Sequence, residues 1–86
     1  MADLKLVYFA WVREAIGRDE EQVERPAPDV TIRALIAVLA EQGGGHAEAF
    51  AQPEKLRAAL DQRFVPLDSP IGDATELAIF PPVTGG

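Results

Sequence analysis

The stretch that decides the fold is the end of the chain, where residues 77–86 read Leu-Ala-Ile-Phe-Pro-Pro-Val-Thr-Gly-Gly. Its first four residues are apolar and predict a buried strand. Proline fixes φ and has no backbone N–H to donate. Pro81 and Pro82 therefore predict that sheet pairing stops after Phe80 and that the chain leaves the sheet in an extended, polyproline-like form.

The last two residues make the end of the chain thin. Gly85 and Gly86 carry no side chain, so the backbone there is narrow and free to adopt many conformations. Six residues follow the strand, and an extended segment of that length reaches about 20 Å. The sequence thus predicts a compact domain at residues 1–80 and an extended tail at residues 81–86, whose tip is a carboxylate.

Length and charge limit the classes of function. The chain has 86 residues, 48% of them hydrophobic, with a formal net charge of −6, so we expect one small globular domain. The negative charge argues against binding to nucleic acid or an anionic membrane and favours a partner with a basic face. Because Asp3 and Lys5 interrupt any leader-like start and no apolar run is long enough to span a membrane, we expect a cytoplasmic protein.

Side chains that carry chemistry are scarce. The sequence has no cysteine, which excludes disulfides, thiol catalysis and cysteine metal sites. The single histidine, His46, follows the run Gly43-Gly44-Gly45 and is expected to be solvated, with no metal role. No paired carboxylates or histidine dyad form a catalytic motif, so we predict a protein without catalytic side chains of its own.

Two segments alternate with the period of a strand. In residues 4–9, Leu4, Leu6 and Tyr8 share one face, while Lys5, Val7 and Phe9 share the other. In residues 76–80, Leu77 and Ile79 share one face, while Ala78 and Phe80 share the other. Since these are the most apolar strands, we expect them to lie side by side at the centre of a sheet.

Helices are predicted at residues 11–17 and 31–42, separated by a charged turn at 18–21 and a strand at 22–25. Thr31 is a suitable N-cap, and the glycine run at 43–45 predicts the end of the second helix. One apolar stripe on that helix indicates packing on a sheet through a single face. The stripe consists of Ile32, Leu35, Ile36 and Leu39.

Residues 55–60, Lys-Leu-Arg-Ala-Ala-Leu, are ambiguous. Their composition favours a helix, whereas Asp61 and Gln62 could form a two-residue turn into strand-like residues 63–65. We predict a hairpin and leave a short helix as the alternative. The whole order then predicts an α+β fold of the β-grasp type, a mixed sheet with one main helix packed across it.

Three segments give a resemblance to a known family. Residues 8–14, Tyr-Phe-Ala-Trp-Val-Arg-Glu, residues 60–65 and residues 80–86 resemble the corresponding parts of the small subunits of molybdopterin synthase, which are ubiquitin-like sulfur carriers. The tail matches that family residue for residue. Residues 73–77 depart from it, because they lack the glycine usual before the last strand.

The resemblance implies a function for the tail. The C-terminal carboxylate of Gly86 would be adenylated by a ubiquitin-activating-like adenylyltransferase that uses ATP, then converted to a thiocarboxylate. The large catalytic subunit would accept the tail, and the sulfur would pass to cyclic pyranopterin monophosphate to form the molybdopterin dithiolene. The assembly would be a heterotetramer, and the carrier itself would need no cofactor. The tail residues that contact partners would be Phe80, Pro81, Pro82, Val83, Thr84 and Gly85.

A candidate partner patch lies beside the predicted tail exit. Val7, Phe9, Ala78 and Phe80 fall on the sheet face opposite the core, where an apolar patch indicates a partner surface. Val7 and Ala78 could equally be covered by the chain itself. Arg13 could pair with a partner carboxylate or remain solvated. Two functional alternatives stay open, a sulfur carrier for thiamin synthesis or tRNA thiolation and a ubiquitin-like protein modifier.

Overall fold

The computed structural model describes residues 3–82, so Val83, Thr84, Gly85 and Gly86 lie outside the described residues. Among residues 3–82, no helix has the length and apolar character needed to cross a membrane. The elements follow one another along the chain as β1 (Asp3–Tyr8), α1 (Ala10–Ile16), β2 (Glu20–Glu24), α2 (Ile32–Ala40), α3 (Gly44–Ala49), a single 3-10 turn (Pro53–Lys55), β3 (Arg57–Leu60), β4 (Arg63–Val65) and β5 (Glu76–Phe80).

The five strands form one mixed sheet in the order β2-β1-β5-β3-β4. β1 and β5 pair in parallel at its centre, from Lys5 opposite Glu76 to Tyr8 opposite Ile79. The other three pairs of neighbouring strands are antiparallel. The predicted central pairing of the first and last strands is confirmed, and with it the α+β arrangement.

The core lies between the sheet and the helices. Leu4, Leu6 and Tyr8 of β1 are buried, as are Leu77 and Ile79 of β5, which confirms the predicted faces of both strands. The stripe on α2 packs into the same core and is buried in full; its members are Ile32, Leu35, Ile36 and Leu39. The N-cap is also as predicted, because the Thr31 hydroxyl accepts a hydrogen bond from the Ala34 N–H at 3.1 Å.

The hairpin prediction is confirmed against the helical alternative for residues 57–65, whereas Lys55 belongs to the 3-10 turn. Asp61 and Gln62 both have positive φ, 48° and 71°, as a tight two-residue hairpin turn requires. The carboxylate of Asp61 also accepts hydrogen bonds from the backbone N–H groups of Thr75 and Glu76, both at 3.0 Å. These bonds lower the pKa of Asp61 and attach the turn to the start of β5.

Two predictions were wrong in detail. Glu20 and Glu21 belong to β2, because they pair with Val7 and Leu6 and extend the ladder into the predicted charged turn. The glycine run does not simply end α2, which stops at Ala40 and has its cap at Glu41.

The glycine run begins α3 and brings that helix onto α1. Gly43 and Gly44 have φ of 80° and 56°, values that favour glycine. The φ of Gly45 is not in this region, and glycine is needed there because the backbone of α1 leaves no room for a side chain. A Cβ atom at Gly45 would lie against the carbonyl oxygen of Ala15 and only 2.9 Å from Cα of Ile16. The run therefore permits a tight turn and a close helix–helix approach.

Replacing Gly45 by Ala should destabilise the domain because backbone atoms of α1 cannot yield as a side chain can. Alanine in a helix would otherwise be favourable by about 1 kcal/mol. We expect Gly45→Ala to lower the free energy of unfolding in urea by about 1–3 kcal/mol. Gly44→Ala is the control: its Cβ would meet open space, so it should lose only about 1 kcal/mol from left-handed backbone strain. A smaller loss for Gly45→Ala than for Gly44→Ala would contradict the packing argument.

Candidate functional site

The tail leaves the sheet from the end of its central strand. Phe80 is the last residue of β5, and the N–H of Phe9 donates to the carbonyl of Ile79 at 3.3 Å. The chain thus leaves beside the start of α1. Pro81 and Pro82 are partly buried and line a cleft with Trp11 and Lys55. We call this position, from Phe80 to Pro82, the tail exit.

Three phenylalanines cluster at the tail exit on the outer side of the sheet. Phe80 lies between Phe9, at a ring-centroid distance of 6.4 Å, and Phe64, at 5.6 Å. Phe64 is 83% exposed and Phe9 48% exposed. Solvent exposure of large rings at one place is unfavourable unless something covers them. We refer to Phe9, Phe64 and Phe80 as the aromatic face.

A row of residues on the outer side of the sheet crosses four strands and ends at Phe64. In register, Val7 lies opposite Ala78, Ala78 opposite Ala59, and Ala59 opposite Phe64. Ala78 and Ala59 are almost fully buried, whereas Val7 is partly exposed. Of the alternatives left open by the sequence, Ala78 is therefore covered and adds no exposed surface to the patch.

Phe64 is the part of this surface that the sequence did not reveal. The sequence predicted residues 63–65 as a strand but gave no reason to place Phe64 near Phe80. Two steps of antiparallel register, from β5 to β3 and from β3 to β4, bring them together. Because one residue of slip would turn Phe64 to the other face, only knowledge of the register could have found it.

Arg13 lies exposed on α1, as the sequence predicted for that face of the helix. The ring contacts that define the aromatic face involve Phe9, Phe64 and Phe80 alone. A pairing of Arg13 with a partner carboxylate therefore stays a prediction. Within the described residues no group of three or more His, Cys, Asp and Glu side chains could hold a metal ion.

The expectation for His46 was wrong. Its Nε2 lies 2.6 Å from Oε2 of Glu21, and its side chain is only 15% exposed. The hydroxyl of Tyr8 donates to the same oxygen at 2.6 Å, and Arg18 lies 3.6 Å from the other oxygen of Glu21. The cluster joins α3 to β1 and β2. Sequence reasoning placed His46 in solvent because it stands beside the glycine run, whereas α3 begins within that run and carries His46 inwards.

The ionisation of the cluster follows from its geometry. Burial raises the pKa of Tyr8, and the hydrogen bond to Glu21 raises it further, so Tyr8 stays a neutral donor. Burial opposes ionisation of Glu21, but the hydrogen bonds from Tyr8 and His46 outweigh that effect and lower its pKa. Glu21 is therefore a carboxylate at neutral pH that holds three elements together.

Replacing Glu21 by Gln should reveal this contribution through its pH dependence. A carboxyl group with a lowered folded-state pKa stabilises the fold above its unfolded pKa of about 4.3, and that contribution is lost as the pH falls through the folded value. We expect Glu21→Gln to lower the free energy of unfolding by about 1–3 kcal/mol at pH 7. The difference from the unmodified chain should shrink as the pH is lowered from about 5 to about 3.

The matched control is Glu24→Gln on the same strand, since Glu24 is exposed. Its effect should stay within about 0.5 kcal/mol. Urea unfolding followed by circular dichroism at several pH values measures both variants. Equal losses for the two variants, or a loss for Glu21→Gln that does not change with pH, would contradict the role assigned to the cluster.

Proteins of known family resemble this chain over nearly its whole length. The ThiS family matches residues 6–86. The molybdopterin synthase sulfur carrier subunit of Escherichia coli is 42% identical over 83 residues, which are 96% of this chain and 99% of that protein.

Solved structures agree with these sequence matches. A putative molybdopterin converting factor subunit 1 from Pyrococcus furiosus superposes with a TM-score of 0.71 at 27% identity, over 96% of this chain and all of that one. A ubiquitin from Caldiarchaeum subterraneum, at 17% identity and a TM-score of 0.59 over 99% of this chain and 98% of that one, shares the fold. The fold is therefore the ubiquitin-like β-grasp. The chain belongs to the ThiS family and is similar to molybdopterin synthase sulfur carrier subunits.

Proposed function

We propose that this chain is the sulfur carrier subunit of a molybdopterin synthase and that Gly86 carries the sulfur. The observation that carries the proposal is the parallel β1–β5 pair, which delivers Phe80, Pro81 and Pro82 from the centre of the sheet with four residues still to follow. Support also comes from the relative that is 42% identical over nearly the whole chain. In this proposal residues 81–86 carry the sulfur into the partner's active site, and residues 1–80 are the domain that presents them.

The proposed chemistry follows from what a main-chain carboxylate can do. A C-terminal carboxyl group ordinarily has a pKa of about 3.5, so that of Gly86 is ionised at neutral pH and is a poor electrophile. Attack of its oxygen on ATP, in a partner adenylyltransferase, would give an acyl adenylate and release pyrophosphate. A persulfide sulfur would then displace AMP, and cleavage of the resulting S–S bond by a thiol would leave the thiocarboxylate.

The second half of the cycle takes place on the large catalytic subunit. There the thiocarboxylate would give its sulfur to cyclic pyranopterin monophosphate, and two loaded carriers would complete the dithiolene of molybdopterin. The carrier is then a protein co-substrate, and the catalytic groups belong to its partners. ATP is consumed by the adenylyltransferase, so this chain needs no cofactor of its own.

The tail residues suit insertion into a partner. Gly86 places no Cβ beside the carbonyl that is attacked, and Gly85 lets the backbone pass a constriction. Pro81 and Pro82 restrict the free chain, so less conformational entropy is lost when the tail is bound. The large catalytic subunit would cover the aromatic face while the tail enters its active site, because exposed aromatic clusters are typical centres of protein interfaces.

Two other functions differ from this one in the fate of Gly86. A carrier for thiamin synthesis or tRNA thiolation would load sulfur in the same way but would not support molybdopterin formation. A protein modifier would form amide bonds from Gly86 to lysines of other proteins. Intact mass separates the modifier, which is found in heavier conjugates, from a carrier, which gains only the difference between sulfur and oxygen.

Deletion of Gly86 tests the proposal. The chain should be loaded as a thiocarboxylate by its adenylyltransferase and a persulfide donor, and the loaded form should convert the pterin precursor with the large subunit. The chain without Gly86 should fold normally but support no detectable product. Product is measured as molybdopterin, and folding by thermal unfolding.

The control is Val38→Ala on the exposed side of α2, which should retain full activity. Molybdopterin formation by the chain without Gly86 would overturn the proposed function. So would a loaded, folded chain that yields no product with an active large subunit, which would favour the carrier of another pathway.

The aromatic face generates a separate prediction. Phe64 is 83% exposed, so Phe64→Ser should change the free energy of unfolding by less than about 1 kcal/mol. Loss of an exposed aromatic anchor should nevertheless weaken binding to the large subunit by about 10-fold or more. Isothermal titration calorimetry measures the affinity, and Phe50→Leu in the core provides the converse control, with lower stability and retained affinity. Unchanged affinity for Phe64→Ser would remove Phe64 from the interface.

A further inference from the structure

Two cations lie at the tail exit of a chain whose formal net charge is −6. Two clefts flank the exit. The first is lined by Trp11, Lys55, Pro81 and Pro82, and the second by Arg57, Ala58, Phe64, Val65, Pro66 and Phe80. Each cleft contains one cation, and among residues 3–82 no carboxylate lines either of them. The sequence as a whole has 14 acidic and 8 basic residues, so this arrangement runs against composition.

Arg57 is held in place by the backbone. Its Nη1 donates to the carbonyl oxygen of Leu56 at 2.9 Å and approaches that of Glu54 at 3.5 Å. In the sheet Arg57 lies directly opposite Phe80, so its guanidinium belongs to the edge of the aromatic face. A guanidinium has five N–H donors, so these contacts leave others for a ligand. A fixed guanidinium loses little entropy when it binds a carboxylate.

Lys55 supplies the second cation. It ends the 3-10 turn two residues before Arg57 and shares its cleft with the two prolines. It also lines a further cleft that contains Glu14 and Glu48, and among residues 3–82 no salt bridge joins it to either acid.

The neighbouring acid, Glu54, lines a third cleft together with Arg33, Arg57 and Asp68. Asp68 pairs there with Arg33 at 2.8 Å, and among residues 3–82 no salt bridge joins Arg57 to either acid. The positive charges therefore stand on both sides of the point where the tail leaves.

We propose that Lys55 and Arg57 bind carboxylates of the protein that receives the tail, so that an acidic segment of that protein lies across the tail exit with an apolar side chain in the Phe64–Phe80 cleft. Charge complementarity selects this occupant, since both clefts combine an apolar lining with a single cation. The inference rests on the proposed function, because it assumes that a partner receives the tail.

The proposal differs from what the net charge of −6 suggests. Net charge favours a partner with a basic face at long range. At about 0.15 M salt, however, charges separated by more than about 8 Å are largely screened. The contact itself then depends on the groups at the tail exit, where the charged side chains that line the two clefts are Lys55 and Arg57. Carboxylates also match the planar, bidentate donor geometry of Arg57.

The experiment compares charge removal at the tail exit with the same change elsewhere. Lys55→Gln, Arg57→Gln and the double variant are titrated against the purified large synthase subunit by calorimetry at about 50 mM and about 300 mM salt. Lys5→Gln is the matched control. Lys5 is on the same sheet, pairs with Glu20 at 3.7 Å with both side chains exposed, and lies at the opposite end of β1 from the tail exit.

We expect the double variant to bind about 10-fold or more weakly at the lower salt concentration and to lose most of its salt dependence. Lys5→Gln should bind within about 2-fold of the unmodified chain. Thermal unfolding establishes that all variants are folded. Equal losses for Lys5→Gln and the double variant would overturn the proposal, because only net charge would then matter, and so would an unchanged affinity for the double variant.

The two hypotheses fail differently. If the unmodified chain binds the large subunit and the double variant binds equally well, only the role of Lys55 and Arg57 is overturned. If the unmodified chain does not bind the large subunit, the proposed function is overturned and this inference with it. A carboxylate of the large subunit whose replacement by arginine restores binding to Arg57→Glu would identify the contact directly.

Discussion

The structure depends on the parallel pairing of β1 and β5. Parallel strands cannot be joined by a tight turn, so everything between Tyr8 and Glu76 forms the connection, and its helices cover one face of the sheet. Parallel strands also end at the same edge. Phe9 and Phe80 therefore emerge side by side, and the N–H of Phe9 still bonds to the carbonyl of Ile79. The position of the tail exit is a consequence of this one pairing.

Because side chains alternate along β5, the two faces of the sheet have different roles. Leu77 and Ile79 are buried in the core, whereas Phe80 closes the strand on the other side. On that outer face Ala78 and Ala59 occupy the middle of the row. Because these two alanines are almost fully buried, the exposed apolar surface of this face comes from the phenylalanine rings, above all Phe64 and Phe9. One face of the sheet thus packs in the core, and the other carries the aromatic face at the tail exit.

The features that could be predicted from the sequence are those that local patterns determine. Period-two alternation predicts β1 and β5, and the Asp61 turn follows from two adjacent residues. The missing features depend on contacts between distant residues. His46 lies 25 positions from Glu21, and the need for glycine at Gly45 comes from the backbone of α1. Phe64 joins the aromatic face through two successive strand registers. No local pattern contains this information.

Under the proposed function, the carrier presents one tail first to an adenylyltransferase and then to a synthase, and such a carrier needs only a small contact surface. Each partner has to release the carrier, so affinity is limited by the need for a fast dissociation rate. Few anchors suffice for such an interface, because a small number of aromatic and arginine side chains supplies most of the binding energy. Phe64, Phe80 and Arg57 are residues of that kind around one cleft. In the same proposal the tip needs no side chain, because the group that would react, the carboxylate of Gly86, belongs to the main chain.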